Sequence, residues 1–169
     1  MRNRIICFIQ IAVCILVLQS CIGETPTGAN LQVGDKIPHF EVTMNDGTLV
    51  TDSSLAGNPA LIVFFHTGCP DCQKELPIVQ QFYDYLQTEK SNINLLCISR
   101  AEKEASVASY FREHSLSLPY SAQDDREIYA LFATTRIPRI YVVNPEGVIT
   151  AMWDDQQMPS VEQLQQAFK

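Results

Sequence analysis

The sequence predicts an α/β fold in which a central mixed β-sheet is flanked by helices and preceded by an N-terminal β-hairpin. Three observations lead to this prediction. The apolar run ALIVFF at 60–65 has the length and continuity of a strand buried on both faces. Helical patterns then alternate with further apolar runs of strand length. Two closing strand-like segments are joined by the turn NPEG at 144–147, which adds an antiparallel hairpin to the sheet.

The length and the net charge of the chain indicate how many domains it has and which partners it does not bind. Its 169 residues fit one compact domain and contain no internal repeat. Its 12 basic and 19 acidic residues give a net charge of -7, and they form no basic patch of the kind that binds phosphate backbones. Nucleic acid is therefore not expected as a partner.

The first twenty residues differ from the rest of the chain. Arg2 and Arg4 precede an apolar run at 5–18, and Ser20 supplies a small residue after it, which is the layout of a secretory signal. The run is too short to span a bilayer comfortably. Residues 1–20 are therefore predicted to be a signal peptide.

The segment LQSC at 18–21 resembles the lipobox of bacterial lipoproteins, which implies cleavage before Cys21 and lipid attachment to that cysteine. Residues 21–30 then form a polar, Gly/Pro-containing tether, and the domain is expected at 31–169. This arrangement would place the protein in the bacterial cell envelope, anchored by lipid and facing the periplasm or another extracytoplasmic space. A plain signal peptide or an uncleaved anchor is the alternative.

Local patterns predict the first elements of the domain. FEVTM at 40–44 and TLVT at 48–51 flank an Asp-Gly pair, which is a strong hairpin signal. After the central strand, a helix is expected to start at the cysteines, with Pro70 in its first turn and Pro77 kinking its interior. The later elements are a strand at 93–99, helices at 102–114 and 125–132, strands at 139–143 and 148–153, and a last helix from about Ser160.

The six cysteines have different predicted roles, which follow from their positions in the chain. Two fall in the predicted signal peptide, Cys21 is the predicted lipid site, and Cys97 is expected to be a small buried hydrophobe. Cys69 and Cys72 form a C-x-x-C pair, and outside the cytosol such a pair stays reduced only if electrons are supplied. The pair is therefore predicted to be redox-active. A passive disulfide is the alternative, but it would close only a four-residue loop and add little stability.

The order of residues around this pair assigns a role to each thiol. Cys69 would lie at the helix N-terminus, where unpaired amides and the helix dipole favour a thiolate, so it is the predicted nucleophile. Cys72, one turn further in, is expected to be more buried and to resolve the mixed disulfide. Glu75 lies three residues beyond Cys72 and is the candidate proton acceptor. An ordinary solvated glutamate is the alternative for Glu75.

A C-x-x-C at the junction of a buried strand and a kinked helix resembles the thioredoxin superfamily over essentially all of residues 31–169. Pro77 and the Ile137-Pro138 pair stand where that superfamily has its helix-kinking proline and its cis-proline. VGDKIPHFEV at 33–42, CQKELP at 72–77 and the turn NPEG are similar, more specifically, to the TlpA/ResA-like extracytoplasmic thiol-disulfide oxidoreductases, many of which are lipoproteins. The resemblance implies a thioredoxin-like fold.

The resemblance also implies a function. The chain is expected to be a monomeric protein-disulfide reductase, without a cofactor, that passes electrons from a membrane-embedded donor to client proteins with disulfides. Glu75 matches the glutamate of the ResA-like branch, whereas Val63 stands where thioredoxin itself has a buried aspartate. Pro138, if cis, would lie against the disulfide, and the backbone at Ile137 would pair with a client strand. A trans edge-strand proline is the alternative.

Some positions depart from the family pattern or leave other functions open. Gly68 replaces the usual tryptophan, and His66 replaces a small residue; His66 either promotes the Cys69 thiolate or is merely a neighbour. A peroxiredoxin-like thiol peroxidase is disfavoured because the pattern P-x-x-x-T-x-x-C is not met. A metal-binding or carrier module using His66, Cys69 and Cys72 lacks a fourth ligand, so no metal is expected. Arg136 and Arg139, which flank the Ile137-Pro138 pair, are expected to be solvated; a preference for acidic clients is the alternative.

Overall fold

The computed structural model describes residues 30–169. The signal peptide predicted at 1–20, the lipid site Cys21 and the tether up to residue 29 lie outside the described residues. Within residues 30–169, none of the helices has the length and apolar character needed to cross a membrane.

The domain opens with the expected hairpin. Strands β1 (Glu41–Thr43) and β2 (Leu49–Thr51) pair antiparallel, and Gly47 adopts a positive φ in the turn between them. A short helix α1 (Asp52–Leu55) follows directly. Thr51 and Ser54 cap this helix reciprocally, each side chain bonding the other residue's backbone. The sequence analysis did not predict α1, because one turn of helix is too short for a periodic pattern.

A five-stranded mixed sheet forms the centre, as predicted. Its order is β5-β4-β3-β6-β7, in which β3 runs parallel to β4 and antiparallel to β6. All six residues of β3 are fully buried, which explains why its sequence is apolar without alternation. The strands are β3 (Ala60–Phe65), β4 (Asn94–Ser99), β5 (Tyr120–Ser121), β6 (Arg139–Val143) and β7 (Ile149–Asp154). The sequence analysis did not predict the two-residue strand β5.

Four further helices accompany the sheet, and each was expected from its sequence pattern. They are α2 (Pro70–Thr88), α3 (Glu104–Glu113), α4 (Glu127–Phe132) and α5 (Val161–Ala167). The buried residues of α2 recur at helical spacing, and Phe82 among them stacks on Phe168 beyond the end of α5 with 5.7 Å between ring centroids. Pro77 lies inside α2, where it removes one backbone amide from the helical ladder.

The aromatic core ties α4 to the central strand. Phe64 of β3 contacts Phe132 and Tyr129 of α4 at centroid distances of 4.9 and 5.4 Å. Aromatic pairs in such tilted and edge-on arrangements add roughly 1 kcal/mol each beyond the area they bury. As a result α4 is fixed relative to β3, and the loop between α4 and β6 is held over the C-terminal end of β3.

Candidate active site

The predicted nucleophile lies where the central strand passes into the longest helix. β3 ends at Phe65, three loop residues follow, and Cys69 is the N-cap of α2 in an extended conformation. Pro70 takes the first helical position, where its missing amide costs no hydrogen bond. Among the described residues the Cys69 side chain makes no capping hydrogen bond, and a thiolate at this position could accept one from the free amides of the first turn.

Cys69 is half-buried and touches the loop that carries the proline predicted to be cis. Its Sγ lies 3.6 Å from the carbonyl oxygen of Ile137 and donates to it as a thiol. The Ile137–Pro138 peptide bond is cis. Cys69 and the residue that precedes the cis bond are therefore in direct contact.

The loop before β6 is held from two further sides. The Tyr129 hydroxyl donates to the carbonyl of Arg136 at 2.6 Å, and the Arg136 guanidinium bonds Asp155 at 3.0 Å. Arg136 has a positive φ of 72°. These contacts fix the backbone immediately before the cis bond to α4 on one side and to the segment after β7 on the other.

Cys72 lies one turn inside α2 and is completely buried. Burial raises the pKa of its thiol well above the ordinary value, and the positive charge of Arg100 opposes part of that rise. Arg100 itself lies over the Tyr129 ring, 4.8 Å from its centroid. In this structure, with Cys69 and Cys72 as free cysteines, Cys72 is therefore a neutral thiol, and a thiol becomes a nucleophile only when it loses its proton.

Glu75 lies on the same buried face of α2 as Cys72. Its exposed fraction is 0%, and neither carboxylate oxygen has a hydrogen-bond partner among the described residues. Burial raises the pKa of Glu75 to about 7. The alternative of a solvated helix glutamate is therefore wrong. A carboxyl group that titrates near neutrality is suited to accept and release a proton at physiological pH.

A second buried carboxylate, Glu102, was missed by the sequence analysis. It follows β4, is 7% exposed, and its Oε2 accepts the Thr67 backbone amide at 2.9 Å. The Thr67 hydroxyl donates to its other oxygen, Oε1. The sequence placed Glu102 at the start of a helix, where exposed glutamate is usual, but α3 begins only at Glu104. The parallel pairing of β3 and β4 could have indicated this contact. It brings the C-terminal ends of both strands together, and Thr67 and Glu102 follow those ends.

Two other expectations are settled by burial. Cys97 is fully buried in β4, as predicted for a small hydrophobe. Arg139 is only 3% exposed, so the prediction that it is solvated is wrong. Arg139 is the first residue of β6, which lies between β3 and β7, and one guanidinium nitrogen donates to the Thr135 carbonyl at 3.2 Å. Within residues 30–169, no three histidine, cysteine or acidic side chains are grouped so that they could hold a metal ion, and this includes His66, Cys69 and Cys72.

This chain resembles known proteins in its sequence. The sequence profile of the AhpC/TSA family matches residues 33–152. The chain belongs to the AhpC/TSA family. One relative is the thiol-disulfide oxidoreductase ResA of Bacillus subtilis, which is 22% identical over 141 residues, covering 80% of this chain and 78% of ResA.

Two solved structures share the fold. A candidate protein disulfide isomerase from Bacteroides thetaiotaomicron superposes with a TM-score of 0.73 at 23% identity, covering 84% of this chain and 93% of that one. A secreted Mycobacterium tuberculosis disulfide oxidoreductase homologous to E. coli DsbE gives a TM-score of 0.65 at 19% identity, covering 76% and 93%. The thioredoxin-like fold and the TlpA/ResA-like kinship predicted from the sequence are confirmed, and this AhpC/TSA member is an enzyme of the thiol-disulfide oxidoreductase class.

Proposed function

We propose that the chain reduces disulfides of extracytoplasmic client proteins through the dithiol of Cys69 and Cys72. The observation that carries this proposal is Glu75, a fully buried carboxylate without a hydrogen-bond partner among residues 30–169, one helical turn from a buried thiol that must be deprotonated. A buried carboxylate without a partner destabilises a fold, and functional sites are where such groups are retained.

The reaction proceeds in two exchanges. The Cys69 thiolate attacks one sulfur of the client disulfide, forming a Cys69–client mixed disulfide and releasing the first client thiolate. Cys72 then gives its proton to Glu75 and attacks the Cys69 sulfur, which forms the Cys69–Cys72 disulfide and releases the second client thiolate. The client gains two electrons, its two thiolates take up one proton from Glu75 and one from solvent, and the enzyme is left oxidised.

Ile137 and Pro138 serve as the platform for the client. The contact between Cys69 Sγ and the Ile137 carbonyl supports this role, because the sulfur of the attacked disulfide must approach along the same side. An extended client segment then pairs with the backbone beside the proline, in the manner of strand addition. This mode of recognition depends on main-chain groups and therefore tolerates many client sequences.

Turnover requires that the oxidised pair be reduced again. A secretory signal at 1–20 and a lipid-modified Cys21 would hold the enzyme on the outer side of the membrane, where a membrane-embedded dithiol donor supplies electrons. Mass spectrometry of the N-terminal peptide from the membrane fraction tests the anchor. A diacylated or triacylated Cys21 is expected, and an unmodified residue 21 that follows an intact signal would contradict it.

The reduction potential of the Cys69/Cys72 pair tests the direction of electron flow. The purified protein is equilibrated in redox buffers and its free thiols are trapped. A value near or below about -250 mV, at the thioredoxin end of the scale, is expected for a reductase. A value near about -120 mV would make the pair an oxidant and overturn the proposed direction.

The thiol peroxidase alternative is tested in the same preparation. The reduced enzyme is given hydrogen peroxide or a disulfide-bonded peptide, and the loss of thiols is followed with time. Rapid reduction of the peptide with slow loss of peroxide is expected. The reverse order of rates would favour the peroxidase.

A further inference from the structure

In the loop that leads from β3 into α2, the backbone amides of Thr67, Gly68 and Cys69 each have a partner. The Thr67 amide donates to Glu102 Oε2 at 2.9 Å, and the Gly68 amide donates to His66 Nδ1 at 2.9 Å. The amide of Cys69 donates to the carbonyl oxygen of His66 at 3.0 Å. His66 therefore accepts a hydrogen bond from Gly68 through its ring and one from Cys69, the proposed nucleophile, through its backbone carbonyl.

This geometry requires a particular form of the imidazole. Because Nδ1 accepts a hydrogen bond from Gly68, it carries no proton, and the neutral ring must hold its proton on Nε2. The carboxylate of Glu102 lies 3.8 Å from the same Nδ1, too far for a hydrogen bond. Glu102 already accepts hydrogen bonds from Thr67. The carboxylate therefore holds Thr67 and the His66 ring holds Gly68, the next residue of the same loop.

Gly68 makes room for the ring. A Cβ placed on Gly68 would lie 3.3 Å from both Cε1 and Nδ1 of His66, which is tighter than ordinary side-chain contacts. The side chain at 66 thus occupies the space that a side chain at 68 would need. The absence of a side chain at 68 therefore allows the His66 ring to keep this position.

The geometry points to His66 as a positioning residue for the nucleophile: its neutral imidazole closes the turn that sets the backbone of Cys69 at the N-terminus of α2. The inference rests on the proposed role of Cys69 as the attacking thiol. Its physical basis is that a thiolate at an N-cap depends on the orientation of the nearby amides, and that orientation is fixed by the loop leading into the cap. His66 acts through this loop and does not itself need to contact the client.

The tautomer of His66 provides a test that is independent of activity. In the reduced, uniformly ¹⁵N-labelled protein at about pH 8, the imidazole nitrogen shifts report which nitrogen carries the proton. The Nε2–H form is expected, together with a Gly68 amide that is protected from solvent exchange. An Nδ1–H form, or a freely exchanging Gly68 amide, would overturn the inference.

A matched pair of variants tests the effect on the thiol. In His66→Asn the side-chain oxygen stands the same number of bonds from the backbone as Nδ1 and can accept the Gly68 amide. His66→Leu has nearly the same shape as the asparagine variant but no acceptor. The readout is the rate constant for alkylation of Cys69 by iodoacetamide across a pH series, with the modified site located by peptide mass spectrometry.

His66→Leu is expected to lower this rate constant at about pH 7 by roughly 3- to 10-fold, the effect of losing about one hydrogen bond, and to displace the pH profile upward. His66→Asn is expected to stay within roughly twofold of the wild type. Equal rates in all three proteins, or equal losses in both variants, would overturn the positioning role. If His66→Leu does not fold, the tautomer measurement decides. Preferential alkylation of another cysteine in the wild type would instead remove the proposed nucleophile.

Discussion

Two buried carboxylates, Glu75 and Glu102, lie near the Cys69/Cys72 pair, and their hydrogen bonding is opposite. Glu102 bonds the backbone amide and the hydroxyl of Thr67, so its oxygens are used to hold the loop before Cys69. Glu75 is at least as buried, yet neither of its oxygens has a partner among the described residues. The contrast teaches that burial alone does not reveal a role. A carboxylate with satisfied hydrogen bonds stabilises one conformation, whereas an unsatisfied one is free to bind a proton.

The largest expected effect comes from replacing the free carboxylate. Glu75→Gln removes the proton acceptor while keeping the shape of the side chain, so the attack of Cys72 on the mixed disulfide should slow by roughly 100-fold at about pH 7. The first step, attack by Cys69, should change little. Rapid acid quenching of a single turnover, followed by separation of the mixed disulfide, measures both steps.

The control for this variant is Glu89→Gln, an exposed glutamate at the C-terminal end of the same helix. It should leave both steps unchanged. If Glu75→Gln resolves the mixed disulfide as fast as the wild type, the proton of Cys72 goes elsewhere and the assignment of Glu75 is wrong.

The same carboxylate should make stability depend on pH. Burial raises the pKa of Glu75 from 4.5 to about 7, so the folded state binds the proton more tightly than the unfolded state. The stabilisation is complete below about pH 4.5 and is lost as the pH rises through about 7, by an amount of order 3 kcal/mol. Urea unfolding of the reduced protein across this range measures it.

Glu75→Gln provides the reference for that measurement, because it removes the titrating group and keeps the size of the side chain. The wild type should lose stability relative to this variant between about pH 4.5 and about pH 7. Parallel stability curves for the two proteins would mean that Glu75 is solvated in the folded state.

Glu102→Gln should have the opposite signature, affecting stability more than the chemical step. The nitrogen that replaces one carboxylate oxygen can only donate, so the Thr67 hydroxyl would have to turn and accept from it, and both bonds between residue 102 and Thr67 would lose the negative charge that strengthens them. The cost should be about 2 kcal/mol in the free energy of unfolding. Urea midpoints with unchanged slopes measure it, and Thr67→Val in both backgrounds shows whether the two residues are coupled. A Glu102→Gln protein that is as stable as the wild type but as slow as Glu75→Gln would reverse the two roles.

The two glutamates also show which parts of the candidate site can be predicted from the sequence. The spacing of Cys69, Cys72 and Glu75 along one helix is local, so periodicity places all three on neighbouring turns, and their burial agrees with that pattern. Glu102 lies 35 residues from its partner Thr67, and only the parallel pairing of β3 and β4 brings them together. No local pattern distinguishes a glutamate of this kind from a solvated one.

The fold likewise contains elements that could be predicted from the sequence and elements that could not. The fully apolar β3 and the regular pattern of α2 were predictable, because burial on two faces or on one face imposes its own period. The two-residue β5 and the four-residue α1 are too short to carry a period. The hydrogen bond from Gly68 to His66 depends on the rotamer of a single side chain, which no sequence pattern reports.

The smallest expected effect concerns the charge between the two cysteines. Asp71 opposes a thiolate at Cys69 by repulsion, but its side chain is partly exposed and bonds Lys74 at 2.8 Å, so its influence is screened. Asp71→Asn should therefore raise the reduction potential of the pair by only about 10 mV, because the reduced thiolate form gains slightly. Lys74→Gln leaves Asp71 unpaired and should move the potential by a similar amount in the opposite direction. Equal shifts of the same sign would show that the charge at position 71 acts on the helix and not on the thiolate.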